Sequence, residues 1–568
     1  MSLIEKIISN NILYHNSNKT VEDVTKELNT SITDLDILKN IDWLPDLDKS
    51  SSTILKHMEA NNHIVIVSDY DSDGVNSAIV LTKSFRDVFN YSNITTIVNK
   101  RKLGNGFNST LIDYIYNVHN KKNINLIITS DHGSSDKDVF SKFKEIGIDV
   151  IVTDHHQIPS DKFLDNVDAF VNNQYGISKD TIYEHICGCA VAFIVMLHLY
   201  QTKYGKLDIS KFYHIIPYVT IATITDVMSL DNILNRTIIR TGIIEINSFR
   251  NPVWRAIANV LNIEHFITAR DIGYTIGPYI NAANRTNVES IAYRLLNSTT
   301  YEEALVYAEE LFMRNTERKK EQFRLVNSLK EQIANATTSY SLTVTMSTEL
   351  GINGTIASIV GESIKLPTIC FVDDNSGELK GSGRGILPNI DLIKIFNYIK
   401  ATDDSIIIKS GGHHLAAGVT IHKDKLSDFI TLFDLGAKIQ IEDGNTEQIE
   451  QPTIVVPVRD ITPQLAYDVE LAAPYGKDWI EPIFKVTSTL LAVIPINNGL
   501  KITIGNSKKE SVTMFYFYNQ DDGINVDNYS SLLQIGSIIS IIFTVHIGTY
   551  RVPVFKVTAK SILTHKDF

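Results

Sequence analysis

Residues 67–78 read VSDYDSDGVNSA and follow directly on the apolar run HIVIV, residues 63–67. Asp69, Asp71 and Asp73 fall at alternate positions, and Gly74 comes directly after them. Like charges crowded into so short a stretch repel unless something positive sits among them. Oxygen donors at this density suit a hard divalent cation. The preceding run is β-rich, so the carboxylates leave the end of a strand. Taken alone, the motif also fits an Asx-turn or a calcium loop, although it lacks the downstream Glu of an EF-hand.

Working outward, four further β-rich runs follow: NITTIV (93–98), INLIIT (124–129), IDVIVT (148–153) and DAFVN (168–172). Near-continuous apolar runs separated by helix-length segments predict parallel strands buried on both faces of an open α/β sheet. Ligands of such sheets bind beyond the carboxyl ends of the strands. Position then gives the polar residues their meaning. The three aspartates follow the first strand, Arg101 the second, Asp131 (TSDHG) the third, and Asp154, His155 and His156 (TDHHQIP) the fourth. Segments far apart in sequence thus deliver their reactive groups to one edge. Beyond residue 180 the pattern turns helical, and VTIATITDVMSL (219–230) sets Asp226 in an apolar segment.

At 568 residues the chain exceeds what one core supports, so several domains are expected. Residues 301–335 lack Gly and Pro and predict one long helix, whose Arg314, Arg318, Lys319, Lys320 and Arg324 read as a solvated face. A second α/β unit is expected over about 340–435, with the strands SLTVTM and TICFV and the glycine-rich pieces GSGRG (381–385) and SGGHHLAAG (410–418). GSGRG alone also fits a simple turn. After the acidic stretch IEDGNTEQIEQP (441–452), a linker, about five β-runs suffice for a small OB-like barrel, with a β-sandwich as the alternative. The expected divisions are 1–50 (helical, with no assignable role), 51–300, 301–338, 339–440 and 453–568.

The net charge of −12 argues against a protein coated with basic residues but leaves room for a local basic groove. Cys187, Cys189 and Cys370 cannot build a disulfide framework or a four-cysteine zinc site, which fits reducing cytosol. No secretion signal and no membrane span are expected, since no run of about 18 apolar residues occurs. Aspartates with one histidine give mixed oxygen and nitrogen ligation that suits Mn²⁺ or Mg²⁺. Two such ions would serve phosphoryl chemistry.

DYDSDG, SDHG, TDHH and TDVMSL together resemble the four successive motifs of the DHH phosphoesterase superfamily, in particular its RecJ-like single-strand exonucleases. The resemblance extends to NKRKLGNGF (99–107), GPYINAANR (277–285), LKGSGRG and SGGHHLAAG of the accessory DHHA1 domain, and LAAPYGKDWIEPIF (471–484) before the barrel. It implies a 5′-to-3′ exonuclease that degrades single-stranded DNA to nucleoside 5′-monophosphates with two Mn²⁺ or Mg²⁺ ions, working beside a single-strand-binding protein or helicase. It also implies metal ligation by Asp71, Asp73, Asp131, His155 and Asp226, with Asp69 in or just behind that set. Asp154 would orient the His155 ring, and His156 and His413 would lie near the scissile phosphate. Arg101, Ser382 and Arg384 would hold the terminal 5′-phosphate, and Arg285 the backbone nearer the cut. His132, in SDHG, and Asn284, before Arg285, depart from the family pattern. The rival readings are a phosphodiesterase of short oligonucleotides or cyclic dinucleotides, an inorganic pyrophosphatase and a non-catalytic replication scaffold.

Overall fold

The computed structural model describes residues 2–15, 19–29, 44–99, 106–158, 166–176, 181–282, 290–347, 352–373, 377–443, 451–507, 510–518, 524, 528–550 and 552–563. Five parallel strands form the first sheet: β1 (His63–Ser68), β2 (Ile94–Val98), β3 (Ile124–Ser130), β4 (Asp149–Asp154) and β5 (Ala169–Asn172), in the order β2-β1-β3-β4-β5. Val65, Val67, Ile127, Val150 and Val152 pack against Phe107, Leu111, Phe140 and Phe143. The helices Ser72–Lys83 and Gly188–Tyr204 also contact the strands. Every residue of β1 is buried, which explains why its apolar run does not alternate. Each expected strand lies within a residue or so of its predicted place.

Chain contacts divide the molecule into two compact units, one of residues 1–281, 288–309 and 450–568, the other of 282–287 and 310–449. The second unit holds a mixed sheet of β6 (Leu342–Met346), β7 (Thr368–Asp373), β8 (Glu378–Arg384), β9 (Ile407–His413) and β10 (Ala416–His422), ordered β6-β7-β8-β10-β9. GSGRG is extended chain in β8, not a turn. The expected single helix over 301–335 is two, Tyr301–Ser328 and Lys330–Ala334. At the break the Leu329 N–H is shared between the carbonyls of Leu325 and Val326, and Leu325 and Leu329 are both drawn into a core. Arg324 is exposed and pairs within the long helix with Glu321, as a solvated face would, whereas Arg314, paired with Glu310, and Arg318, bonded to Asn315, are partly buried.

The C-terminal strands belong to the first unit. β11 (Thr453–Val455) runs parallel to β12 (Ile483–Ile496), which is followed by β13 (Gly499–Gly505), β14 (Ser511–Phe517), β15 (Ile538–Tyr550) and β16 (Val552–Leu563). Long β12 pairs with both β13 and β15, and β14 runs parallel to β16, so β12-β13-β14-β16-β15 closes into a five-stranded barrel of OB type. Closure leaves no open edge among these strands. Phe484, Leu490, Ile502, Met514, Tyr516 and Phe543 fill its interior.

The N-terminal segment, for which the sequence suggests no role, joins the barrel to the first sheet's domain. From the helix Leu3–Tyr14, Ile7 enters the barrel core, Ile8 packs with Leu230, Ile239 and Trp479, and Asn11 exchanges two hydrogen bonds with the Ile480 backbone (3.1 and 2.7 Å). The main rivet is Arg236, buried on the helix Ile233–Asn247. Its guanidinium donates to the carbonyls of Leu230, Ala472, Ala473 and Pro474 at 2.8–3.3 Å and lies 4.8 Å from the Trp479 ring centre. An arginine presents its donors as a planar fork, which lets one side chain bind several carbonyls. Arg236→Ala should therefore destabilise this unit by about 2–4 kcal/mol, because buried carbonyls lose their donors. Denaturant unfolding of the full chain checks this, and a loss below about 0.5 kcal/mol would contradict it.

Candidate metal centre

The carboxylates are placed by backbone that already has to be where it is. β1 runs on past Ser68 with Asp69 N–H donating to the Ser130 carbonyl (3.2 Å). Asp71 caps the helix Ser72–Lys83, its Oδ1 accepting from the Gly74 N–H at 3.1 Å. Asp73, in the first turn, points its carboxylate at the start of a different helix, Gly188–Tyr204. Its two oxygens accept from the N–H groups of Gly188 and Cys189, each at 2.8 Å. Those N–H groups are among the four that an α-helix leaves unbonded at its start, and the helix dipole there favours an anion. The approach demands glycine at 188, since a Cβ there would sit 2.6 Å from Asp131 Oδ1 and 2.9 Å from Asp131 Cα.

Asp131 follows β3 in a left-handed conformation (φ 62°), which short polar side chains tolerate, and its N–H donates to Thr153 O at 3.0 Å. Asp226 ends the helix Ile216–Thr225. A carboxylate is unfavourable at that negative end of the dipole. His155, just past β4, directs Nε2 into this group, 3.3 Å from Asp131 Oδ1, 3.6 Å from Asp226 Oδ2 and 3.7 Å from Asp73 Oδ2. Asp69, Asp71 and Asp131 form one mutually close donor set, Asp73, His155 and Asp226 a second, and Asp131, His155 and His156 a third.

Burial, aided by the neighbouring carboxylates, pushes the acids up: Asp69 to about 7, Asp226 to about 8, and Asp131 well above the usual range. Burial raises Asp73 as well, against the pull of His155 and the two N–H groups that hold it. Among the described residues, three buried oxygens here, Asp69 Oδ1, Asp131 Oδ1 and Asp226 Oδ2, have no hydrogen-bond partner. Orphaned acceptors that repel one another fit a cation among them, and a donor set of oxygen and imidazole fits a hard or borderline divalent ion.

Asp154 does not orient the His155 ring as the resemblance suggested. Its Oδ1 accepts from the N–H groups of His155 (2.8 Å) and His156 (3.2 Å) and bonds the His156 Nδ1 at 2.8 Å, while Oδ2 takes the Ser134 N–H at 3.0 Å. The reason is reach: these bonds bind Asp154 to the turn, and the His155 ring faces away toward the acids. Burial works against charge on both partners, but the bond outweighs it, raising His156 to about 9 and depressing Asp154 far below its ordinary value. A histidine that keeps its proton at neutral pH is a donor and not a ligand, so the third set is electrostatically the weakest of the three.

Of the other expected site residues, Arg101 and Arg285 lie outside the described residues, as does the His413 side chain, whose backbone ends β9. Ser382 and Arg384 are neighbours on β8, with Arg384 Nη1 donating to Ser382 Oγ at 3.1 Å. His132, one of the two departures, is no part of the centre. It is buried beneath it, bonded to the Val67 carbonyl at 3.1 Å and packed on Phe107, and burial lowers it to about 4. The N–H pair at Gly188 and Cys189 is the feature sequence reasoning missed. The signal available was a glycine opening the apolar run ICGCAVAF.

Residues 63–221 match the model of the DHH family, N-terminal domain. The single-stranded-DNA-specific exonuclease RecJ of Haemophilus influenzae is 27% identical over 81% of this chain and 80% of its own length. RecJ of Escherichia coli is 27% identical over 78% of each. Residues 63–221 thus carry a DHH-family domain, and the chain as a whole is similar to RecJ. A crystal structure of RecJ from Thermus thermophilus in complex with Mn²⁺ shares the fold, with a TM-score of 0.74 at 18% identity over 98% of this chain and 75% of that one.

The acid cluster of this RecJ-like chain makes stability depend on pH in a definite direction. With folded values of about 7 and 8 for Asp69 and Asp226 against about 3.9 unfolded, the folded state holds protons that the unfolded state has released. The contribution of these two acids to the stability of metal-free protein is therefore full below about pH 4 and is lost as pH rises from there through 7 to 8. A divalent ion replaces those protons, so its stabilisation grows over the same window. Melting temperatures in EDTA and in Mn²⁺ between pH 5 and 8.5 should diverge as pH rises. A gap that stays constant or narrows would contradict this.

Proposed function

We propose that the chain is a Mn²⁺- or Mg²⁺-dependent 5′-to-3′ exonuclease that degrades single-stranded DNA to nucleoside 5′-monophosphates. The observation that carries the reading is the gathering of Asp69, Asp71, Asp73, Asp131, His155 and Asp226, from four separate stretches of chain, with three buried oxygens left orphaned. It is supported by the family and by relatives that are named single-stranded-DNA-specific exonucleases and match over about four-fifths of the chain. In this reading these six residues hold two ions. Bound there, the ions supply a nucleophile at neutral pH and neutralise charge developing at phosphorus.

The chain's own groups do the rest. Asp73 is fixed by the N–H groups of Gly188 and Cys189, so its geometry precedes metal binding. His156 gives Nδ1 to Asp154 and keeps a proton on Nε2 at neutral pH, which makes it a cationic donor for a phosphate oxygen. Asp154 thus acts as a positioning residue. Ser382 and Arg384 are assigned to the terminal 5′-phosphate together with Arg101, Arg285 to the backbone nearer the cut, and His413 to the scissile phosphate; a guanidinium fork matches phosphate oxygens well.

The barrel suits a strand longer than a dinucleotide, and the complete carboxylate set is what a scaffold would not need. The partners in this reading are single-stranded DNA and a single-strand-binding protein or helicase, in nucleoid-associated or phage-infected bacterial cytosol. No helix among the described residues is long and apolar enough to cross a membrane. The test compares 5′- and 3′-labelled single strands digested with Mn²⁺. Mononucleotides should leave from the 5′ end, and Asp131→Ala should lower the rate more than about 100-fold. Equal attack at both ends, or an active variant, would contradict the proposal.

A further inference from the structure

Tyr274 lies ahead of GPYINAANR (277–285), outside every motif of the resemblance, and at 82% it is the most exposed large apolar side chain among the described residues. Tyr279, five residues on, is wholly buried, so exposure is not general to this stretch. The ring sits on a rigid mount. Its helix begins with a reciprocal cap, the Thr268 N–H donating to Asp271 Oδ2 (2.8 Å) and the Asp271 N–H to Thr268 Oγ1 (3.3 Å). Ile272–Ile276 then form a single π-turn before the α-helix resumes at Gly277–Ala282, the Gly277 N–H reaching back five residues to the Ile272 carbonyl. Such turns are rare and recur at functional sites.

Two glycines seat this turn against the helix that ends in Asp226. A Cβ on Gly273 would lie 3.4 Å from Ile224 Cγ2, and one on Gly277 would lie 2.4 Å from Thr225 Cγ2. Ile224 and Thr225 are the last two residues of the helix Ile216–Thr225, so Tyr274, next to Gly273, stands beside the rim that carries Asp226. Val227, which follows Asp226, is itself exposed, so the rim is apolar there as well as acidic. One turn before Tyr274, the Arg270 guanidinium lies 5.9 Å from the ring centre and 3.7 Å from Glu481 Oε2, on the approach to the barrel. An aromatic face open to water, flanked by a cation and set beside a centre that takes phosphate, suits a flat ring that is itself joined to phosphate. Every nucleobase offers such a face once it is unpaired and unstacked. We propose that Tyr274 is a substrate-binding residue on which one unpaired base of the strand stacks while the strand lies in the metal centre. The inference rests on the exonuclease reading and gives that site a contact to a base, where its other contacts are to phosphate.

The test uses the full chain with Mn²⁺ and a 5′-phosphorylated oligothymidylate whose first linkages are phosphorothioates, so that binding is read without rapid cleavage. Tyr274→Ala should weaken binding about tenfold, the worth of one stacked base, and leave the slope of log affinity against log salt unchanged, because no phosphate contact is lost. Abasic sites placed singly along the strand should cost wild type a similar factor at one position, and cost Tyr274→Ala nothing further there. Tyr274→Trp, which keeps a stacking face, should bind as wild type does. Melting temperatures equal to wild type would show that the π-turn is intact. If wild type binds the strand and Tyr274→Ala binds it equally well, or loses as much as wild type at every abasic position, the assignment of Tyr274 is overturned and the exonuclease reading stands. A shallower salt slope in Tyr274→Ala would overturn it too, since the lost contact would then be to phosphate. If wild type neither binds nor degrades the strand, the exonuclease reading falls and takes this assignment with it.

Discussion

Asp69, Asp71, Asp73, Asp131 and Asp226 bring five carboxylates to one rim, and Asp73 and Asp131 are almost wholly buried. Two unit charges about 4 Å apart near a protein surface repel by roughly 4 kcal/mol, so this arrangement has only two ways to exist: with protons or with cations. Much of the surrounding structure can be understood as the means of holding these groups in place despite that repulsion. The start of the helix Gly188–Tyr204 gives Asp73 two N–H donors. Asp131 accepts a left-handed backbone so that its carboxylate meets Asp73 and His155. Asp226 is held at the unfavourable end of its helix. Residues kept in such costly places signal a site that function maintains.

The same constraint separates the two histidines of TDHH. They are adjacent in sequence, yet His155 turns its ring toward the acids and burial lowers its proton affinity, while His156 bonds Asp154 and holds its proton more tightly. Neighbouring side chains of one type therefore take opposite chemical states, a neutral donor of a lone pair and a cationic donor of a proton. The barrel takes part in this as well. Arg236 and the helix Leu3–Tyr14 tie it to the segment that carries Asp226, so the rim is braced from the C-terminal side of the chain.

The parallel sheet was legible because its strands are buried on both faces and read as unbroken apolar runs; His63–Ser68 and Asp149–Asp154 needed no more than that. The rim followed, since strand ends in such a sheet converge. Three things were not legible. The role of Gly188 depends on a backbone donor, and backbone donors carry no sequence letter. The partner of Asp154 depends on which of two adjacent rings turns back, a matter of one dihedral angle. The break at Leu329 sits in a stretch of good helix formers, where packing into the core around Leu342 and Val344 overrides local propensity. GSGRG shows the reverse case, glycines that look like a turn but lie extended between β7 and β10, where neighbouring strands decide the conformation.

The most direct measurement is anomalous scattering from crystals of the full chain grown with Mn²⁺. Two peaks roughly 3.5–4 Å apart are expected at the rim, one against Asp69, Asp71 and Asp131 and the other against Asp73, His155 and Asp226. A rim without manganese, or ions bound elsewhere while these side chains point apart, would contradict the account.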